Sequence, residues 1–271
     1  MPDQKSSYPK TSQPKRWLNI EELRREHAKA KTIYESNFFA KKVRMLMHAR
    51  PWKFINAIAL GLGSFSWFDE NVSHPDQCLR SLYQVIVFKD MVDCLAEARH
   101  STAFKDPGIK LYAQDPAFNE LDKVFLESLG IEMIVVENQG RIDAEIVPFD
   151  DKGRKLIGPR TFLLCHGYVA TRAMVDGNPE LIIGQIMEGH IQRLSWSEES
   201  LETMGIDLDD YDEDVKERIE QHRRYGLALD KIRKERNVVT LLDPKENFAR
   251  YFGTLGTGIP LNAYCRKLAD C

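Results

Sequence analysis

A strand-and-turn unit near residue 60 constrains this chain more than any other feature. Phe54-Ile55-Asn56-Ala57-Ile58-Ala59-Leu60 is a short apolar run, and Gly61-Leu62-Gly63-Ser64 follows it directly. Such a run reads as a strand buried on both faces, as in a parallel sheet. From Pro75 to Arg99, Leu79, Leu82, Val85, Ile86, Val92, Leu95 and Ala96 form a helical apolar stripe, with Pro75 suited to the first turn. A second strand is predicted at Ile109-Lys110-Leu111-Tyr112-Ala113, then a helix from Asn119 to Leu129 stopped by Gly130, then a third strand over 131–136. Glycine or acidic residues follow each strand. The β-α-β-α-β order predicts a parallel sheet with right-handed crossovers.

The flanking residues extend that scheme. Thr161 to His166 and Leu181 to Ile186 read as fourth and fifth strands around one short helix near 168–176, and 142–149 reads as an edge strand. Upstream, 20–48 is patterned as one helix with Asn19 as its cap and Glu21 and Glu22 in its first turn. Lys41, Lys42, Arg44, His48 and Arg50 crowd its far end, where the helix dipole favours cations. Downstream, Glu198, Glu199, Glu202 and the run from Asp207 to Asp214 make an acidic stretch. A charged, solvated helix over 212–234 and a late strand over 238–242 follow; no element is assigned beyond Pro244. The expected fold class is α/β: a Rossmann-like, mainly parallel sheet flanked by helices, with an N-terminal helix and a helical C-terminal extension. The expected division is a disordered leader at 1–16, the helix at 17–50, the core at 51–194 and an acidic helical extension packing on it at 195–271.

Composition narrows the function classes. The 271 residues are 43% hydrophobic with a net charge of -3. A sizeable core is available, and no global basic field draws nucleic acid or anionic lipid. Nucleic-acid binding through Lys41 to Arg50 is therefore disfavoured, and a small-molecule ligand or a protein partner is expected. Cys78, Cys94, Cys165, Cys265 and Cys271 are widely spaced with no CxxC, and no HxxxH or HxH occurs. Neither a disulfide framework nor a metal site is expected, and a reducing compartment, cytoplasm or nucleus, fits best. The opening Met-Pro-Asp-Gln-Lys-Ser-Ser lacks the apolar stretch of a signal peptide, and no apolar run is long enough to span a bilayer.

In a Rossmann-like sheet, ligands sit beyond the carboxyl ends of the strands. Gly61 and Gly63 allow a tight turn and close backbone approach there. Ser64 and Ser66 offer hydrogen bonds to a carboxylate or phosphate. Asp115, ending the second strand, can accept from ribose hydroxyls; a turn-forming Asp before Pro116 is the plainer account. A glycine turn after the first strand and an acid after the second resemble the layout of S-adenosylmethionine-dependent methyltransferases. S-adenosylmethionine or another nucleotide-like ligand is accordingly the first to test. Candidate catalytic groups are His166 at the end of the fourth strand, Glu137 after the third, and Tyr168, with Arg172 as an added anion contact.

The same residues resemble the Sensitivity to Red Light Reduced family. Gly61-Leu62-Gly63-Ser64-Phe65-Ser66 is similar to its opening motif. Asp115-Pro116-Ala117-Phe118, with Asp122, Leu126, Leu129 and Gly130, resembles its second block, and Glu137-Asn138 with Gly140 its third. Phe162 to His166 resembles the fourth block, with Cys165-His166 in place of a His-Cys order. Leu181-Ile182-Ile183-Gly184 resembles the last, continuing with Gln185-Ile186 instead of Asn-Ser. The resemblance covers roughly residues 50–190. It implies a Rossmann-like fold, cytoplasmic or nuclear residence, and regulatory roles: light signalling and circadian regulation in plants, heme metabolism and stress responses elsewhere. The alternative function is an enzyme, either methyltransferase-like or a cofactor-free lyase, isomerase or cyclase.

Overall fold

The computed structural model describes residues 19–66, 77–100, 108–134, 155–165, 171–184, 212–252 and 260–267. Helix α1 (Ile20–Glu35) begins at a capping box, in which the Asn19 side chain accepts from the Glu22 N–H and Glu22 reaches back to the Asn19 N–H. The single helix expected over 20–48 is two helices. Asn37 caps a second start, accepting from the Phe39 N–H at 2.8 Å, and α2 (Phe38–His48) follows. An Asn side chain that bonds its own backbone competes with helix continuation, which accounts for the break.

Strand β1 (Asn56–Leu60) leads through the glycine turn to α3 (Gln77–His100), β2 (Lys110–Gln114), α4 (Glu120–Ser128) and β3 (Glu132–Met133). After β4 (Thr161–Cys165) come α5 (Thr171–Gly177), β5 (Leu181–Gly184), α6 (Glu213–Lys234), β6 (Arg236–Leu242), a 3-10 turn (Asn247–Phe252) and β7 (Leu261–Arg266). The expected strands and helices of the core are thus present, and the expected strand at 238–242 is β6. Residues 261–266, to which the sequence pattern assigns no element, form β7. The predicted edge strand at 142–149 lies outside the described residues.

All seven strands join one sheet in the order β3-β2-β1-β4-β5-β7-β6. Strands β1 to β5 pair in parallel, and β7 runs antiparallel to both β5 and β6. The α/β fold class is therefore confirmed, with one reversed strand. Its first five strands carry the Rossmann order, which changes direction between β1 and β4.

Alternation along β1 divides the core into two layers. Ala57 and Ala59 face a large cluster with Tyr34, Phe39, Phe88, Phe125, Phe248 and Phe252. Ile58 and Leu60 face a smaller one with Leu163, Cys165, Met174, Leu229 and Ile232. The two alanines leave room for the aromatic layer, in which Phe39 and Phe252 meet edge to face at 5.3 Å.

Three of the basic residues in and after α2 pair within the molecule. Arg44 donates to Asp90 of α3 from Nε and Nη2, the latter at 2.9 Å, while the buried Tyr34 hydroxyl donates to the same carboxylate at 2.8 Å. Lys42 pairs with Glu246 at 2.8 Å, and Arg50 stacks on Trp52 and faces Glu180. These contacts tie α1, α2, α3 and the 3-10 turn together. No helix among the described residues is long and apolar enough to cross a membrane.

His27 packs edge-on against Phe125, joining α1 to α4 at 5.3 Å. Burial first, and then the charge of Lys31, lower its pKa from 6.5 to about 4. An unfolded chain takes the proton near 6.5, before the folded one does. Stability should therefore be intact above pH 6.5 and fall as the pH drops from 6.5 towards 4. Urea unfolding across that window should show a shallower fall for His27→Gln; an unchanged slope would contradict the account.

Candidate functional site

The carboxyl ends of β1 and β2 meet at a polar hub. Gly61 and Gly63 both hold positive φ, +72° and +74°. That left-handed conformation is cheap only for glycine. A Cβ on Gly63 would also come within 2.9 Å of Ser81 Oγ on α3. The Gly61 N–H donates to the Gln114 carbonyl at 3.0 Å, and the Gly63 N–H donates to Asp115 Oδ2 at 2.7 Å. Asp115 Oδ1 accepts from the Ala117 N–H at 2.8 Å. The glycine turn and the second-strand acid are therefore joined directly.

Ser64 and Ser66 turn inward. The Ser64 hydroxyl donates to Asp122 Oδ2 at 2.6 Å, and the Ser66 hydroxyl donates to Asp122 Oδ1 at 2.9 Å. The Phe65 N–H at 3.0 Å and the Asn119 N–H at 3.1 Å complete four donors on this one fully buried carboxylate. A carboxylate offers about four lone-pair sites, so Asp122 is filled. The Asn119 amide also donates to Ser66 Oγ at 2.9 Å. Asp122 occupies the third position of α4 in a capping box with Asn119. That Asn-x-x-Asp pattern was the available signal in the sequence, and it read only as a helix start.

Burial raises the Asp115 pKa above its ordinary value, with a further push from the charge of Asp122; the Ala117 and Gly63 N–H groups pull it back. Next to it, the Gln114 side chain is buried, and neither its oxygen nor its nitrogen has a hydrogen-bond partner among the described residues. Cys165 ends β4 level with Leu60. Complete burial pushes its thiol up to about 12, so it carries no thiolate at neutral pH.

Of the sequence-derived candidates, Gly61, Gly63, Ser64, Ser66 and Asp115 come together at this rim. His166, Glu137, Tyr168 and the side chain of Arg172 lie outside the described residues. An open depression of about 460 Å³ lies between α4 and β3, lined by Lys123, Glu127, Ile131, Glu132 and Met133, and includes none of the rim residues.

Asp122→Ala strands the Phe65 and Asn119 N–H groups and should cost about 3 kcal/mol or more in urea unfolding. Asp122→Asn, which keeps one acceptor oxygen, should cost distinctly less. Gly63→Ala should cost about 1–2 kcal/mol from its backbone conformation alone. Equal stability of Asp122→Ala and the native chain would mean that the hub does not hold the turn.

The SRR1 domain family (Sensitivity to Red Light Reduced) matches residues 39–237. The match is wider than the stretch of resemblance at 50–190, reaching from α2 to the start of β6. No curated protein and no solved structure matches the chain. With the greater part of its length matched, including the glycine turn, the Asp122 hub and five parallel strands, the chain belongs to the SRR1 domain family.

Proposed function

We propose that this chain is a regulatory, small-molecule-binding Rossmann-like protein whose ligand is nucleoside-like, with S-adenosylmethionine the first candidate. The observation that carries the reading is the Gly63–Asp115 hydrogen bond at 2.7 Å. It sets a glycine turn and an acid side by side next to the β1–β4 reversal of strand order, where ligands bind in open α/β sheets. Each Asp115 oxygen already holds one backbone N–H and has a lone pair left for a ribose hydroxyl. The serine hydroxyls are committed to Asp122, so ligand contacts fall to the turn backbone and Asp115. Family membership supports a regulatory role in the cytoplasm or nucleus as part of the same proposal.

The enzyme alternative, methyltransferase-like or a lyase, isomerase or cyclase, assigns acid–base work to His166, Glu137 and Tyr168. What favours it is register: β4 ends at Cys165, opposite Leu60, and His166 is the next residue in the chain. Burial disfavours the thiolate of Cys165, which argues against it as the nucleophile.

A thermal-shift panel of S-adenosylmethionine, S-adenosylhomocysteine, nicotinamide cofactors, nucleotides and heme tests the reading. An adenosyl ligand at ~100 times its Kd should stabilise the chain by about 2.7 kcal/mol. Asp115→Asn, which keeps an acceptor for the turn, should remove most of that gain. Silence across the panel would overturn the nucleoside-ligand reading and favour partner binding.

A further inference from the structure

Gln114 is the last residue of β2, level with Leu60 of β1 and directly before Asp115. Its backbone carbonyl is used by the Gly61 N–H at 3.0 Å. Its side chain has no polar partner among the described residues. It shares the face of Tyr112, on the Leu60 side of the sheet, and the residue is only 2% exposed. Among the described residues, both Oε1 and Nε2 lack a hydrogen-bond partner. Buried polar groups are nearly always paired, because leaving one unmade forfeits its hydration without return. An apolar side chain of the same size would fill this position at no such cost. The residue sits at the strand end over which a Rossmann-like sheet receives its ligand.

We propose that Gln114 is a specificity-determining residue that reads the base of the nucleoside-like ligand, an inference that rests on the ligand-binding reading above. A carboxamide presents an acceptor and a donor side by side. That pair complements the 6-amino group and N7 of adenine. On that edge a 6-oxo purine offers two acceptors, O6 and N7, and leaves the Gln114 oxygen unpaired. Asp115, past the end of the strand, takes the ribose, and Gln114 selects the base.

Calorimetry on the full chain with S-adenosylhomocysteine and its inosine counterpart tests the assignment. The adenosine form should bind at least about tenfold tighter. Gln114→Met, close in size and apolar, should bind the adenosine form more weakly, narrow the gap between the two ligands, and raise the Tm of the ligand-free protein. If the native chain binds both ligands equally, or if Gln114→Met keeps the discrimination, Gln114 is not the reader, while the rim reading stands. If the native chain binds neither, the rim reading falls and takes this inference with it. A lower Tm for ligand-free Gln114→Met, or failure of that variant to fold, would mean that the amide is satisfied in solution, and would overturn the inference without any ligand.

Discussion

Asp122 collects hydrogen bonds from both sides of a junction that no strand ladder bridges. On one side is the loop after β1; on the other is the first turn of α4. Apolar packing presses helices onto the sheet, but it is non-directional and does not aim a loop. Short, directed bonds to a buried carboxylate do. The rim around Gly63 is therefore shaped by an internal network before any ligand arrives, which lowers the ordering cost of binding.

The same economy runs through the basic segment. Lys42, Arg44 and Arg50 read in the sequence as cations placed at a helix end. In the fold they meet Glu246, Asp90 and Glu180. Ser64 and Ser66 look like ligand donors and meet Asp122. Each is a polar group whose partner lies more than forty residues away along the chain, and each acts as a directional lock between elements.

Much of the core was legible because its signals are local. The β1 run, the stripe of α3, and the Asn119–Gly130 bounds of α4 carry their own periodicity and caps. The α1–α2 break was less so, because Ser36-Asn37 interrupts an otherwise continuous helical pattern and only the Asn37 cap betrays it. Strand β7, Leu-Asn-Ala-Tyr-Cys-Arg, has no clean alternation, since it is buried between two partners and every position but the last is covered. The rim glycines and Asp115 were readable from spacing. The Asp122 hub and the unpartnered amide of Gln114 were not, because a helix-start acid and a strand-end amide look ordinary until their neighbours in space are known.

The reversed strand also has a kinetic meaning. β7 supplies the only pairing of β6 in the described sheet, and it must enter between β5 and β6 after both have been made. The gap between Gly184 and Leu261 has to close for that to happen, a long-range step with a high loop-closure cost. During synthesis the parallel half of the sheet can assemble early, while β5 keeps an open edge until the ribosome has passed residue 266. A nascent chain of this kind waits with unpaired backbone, which makes β7 the latch on the β5–β6 side of the sheet.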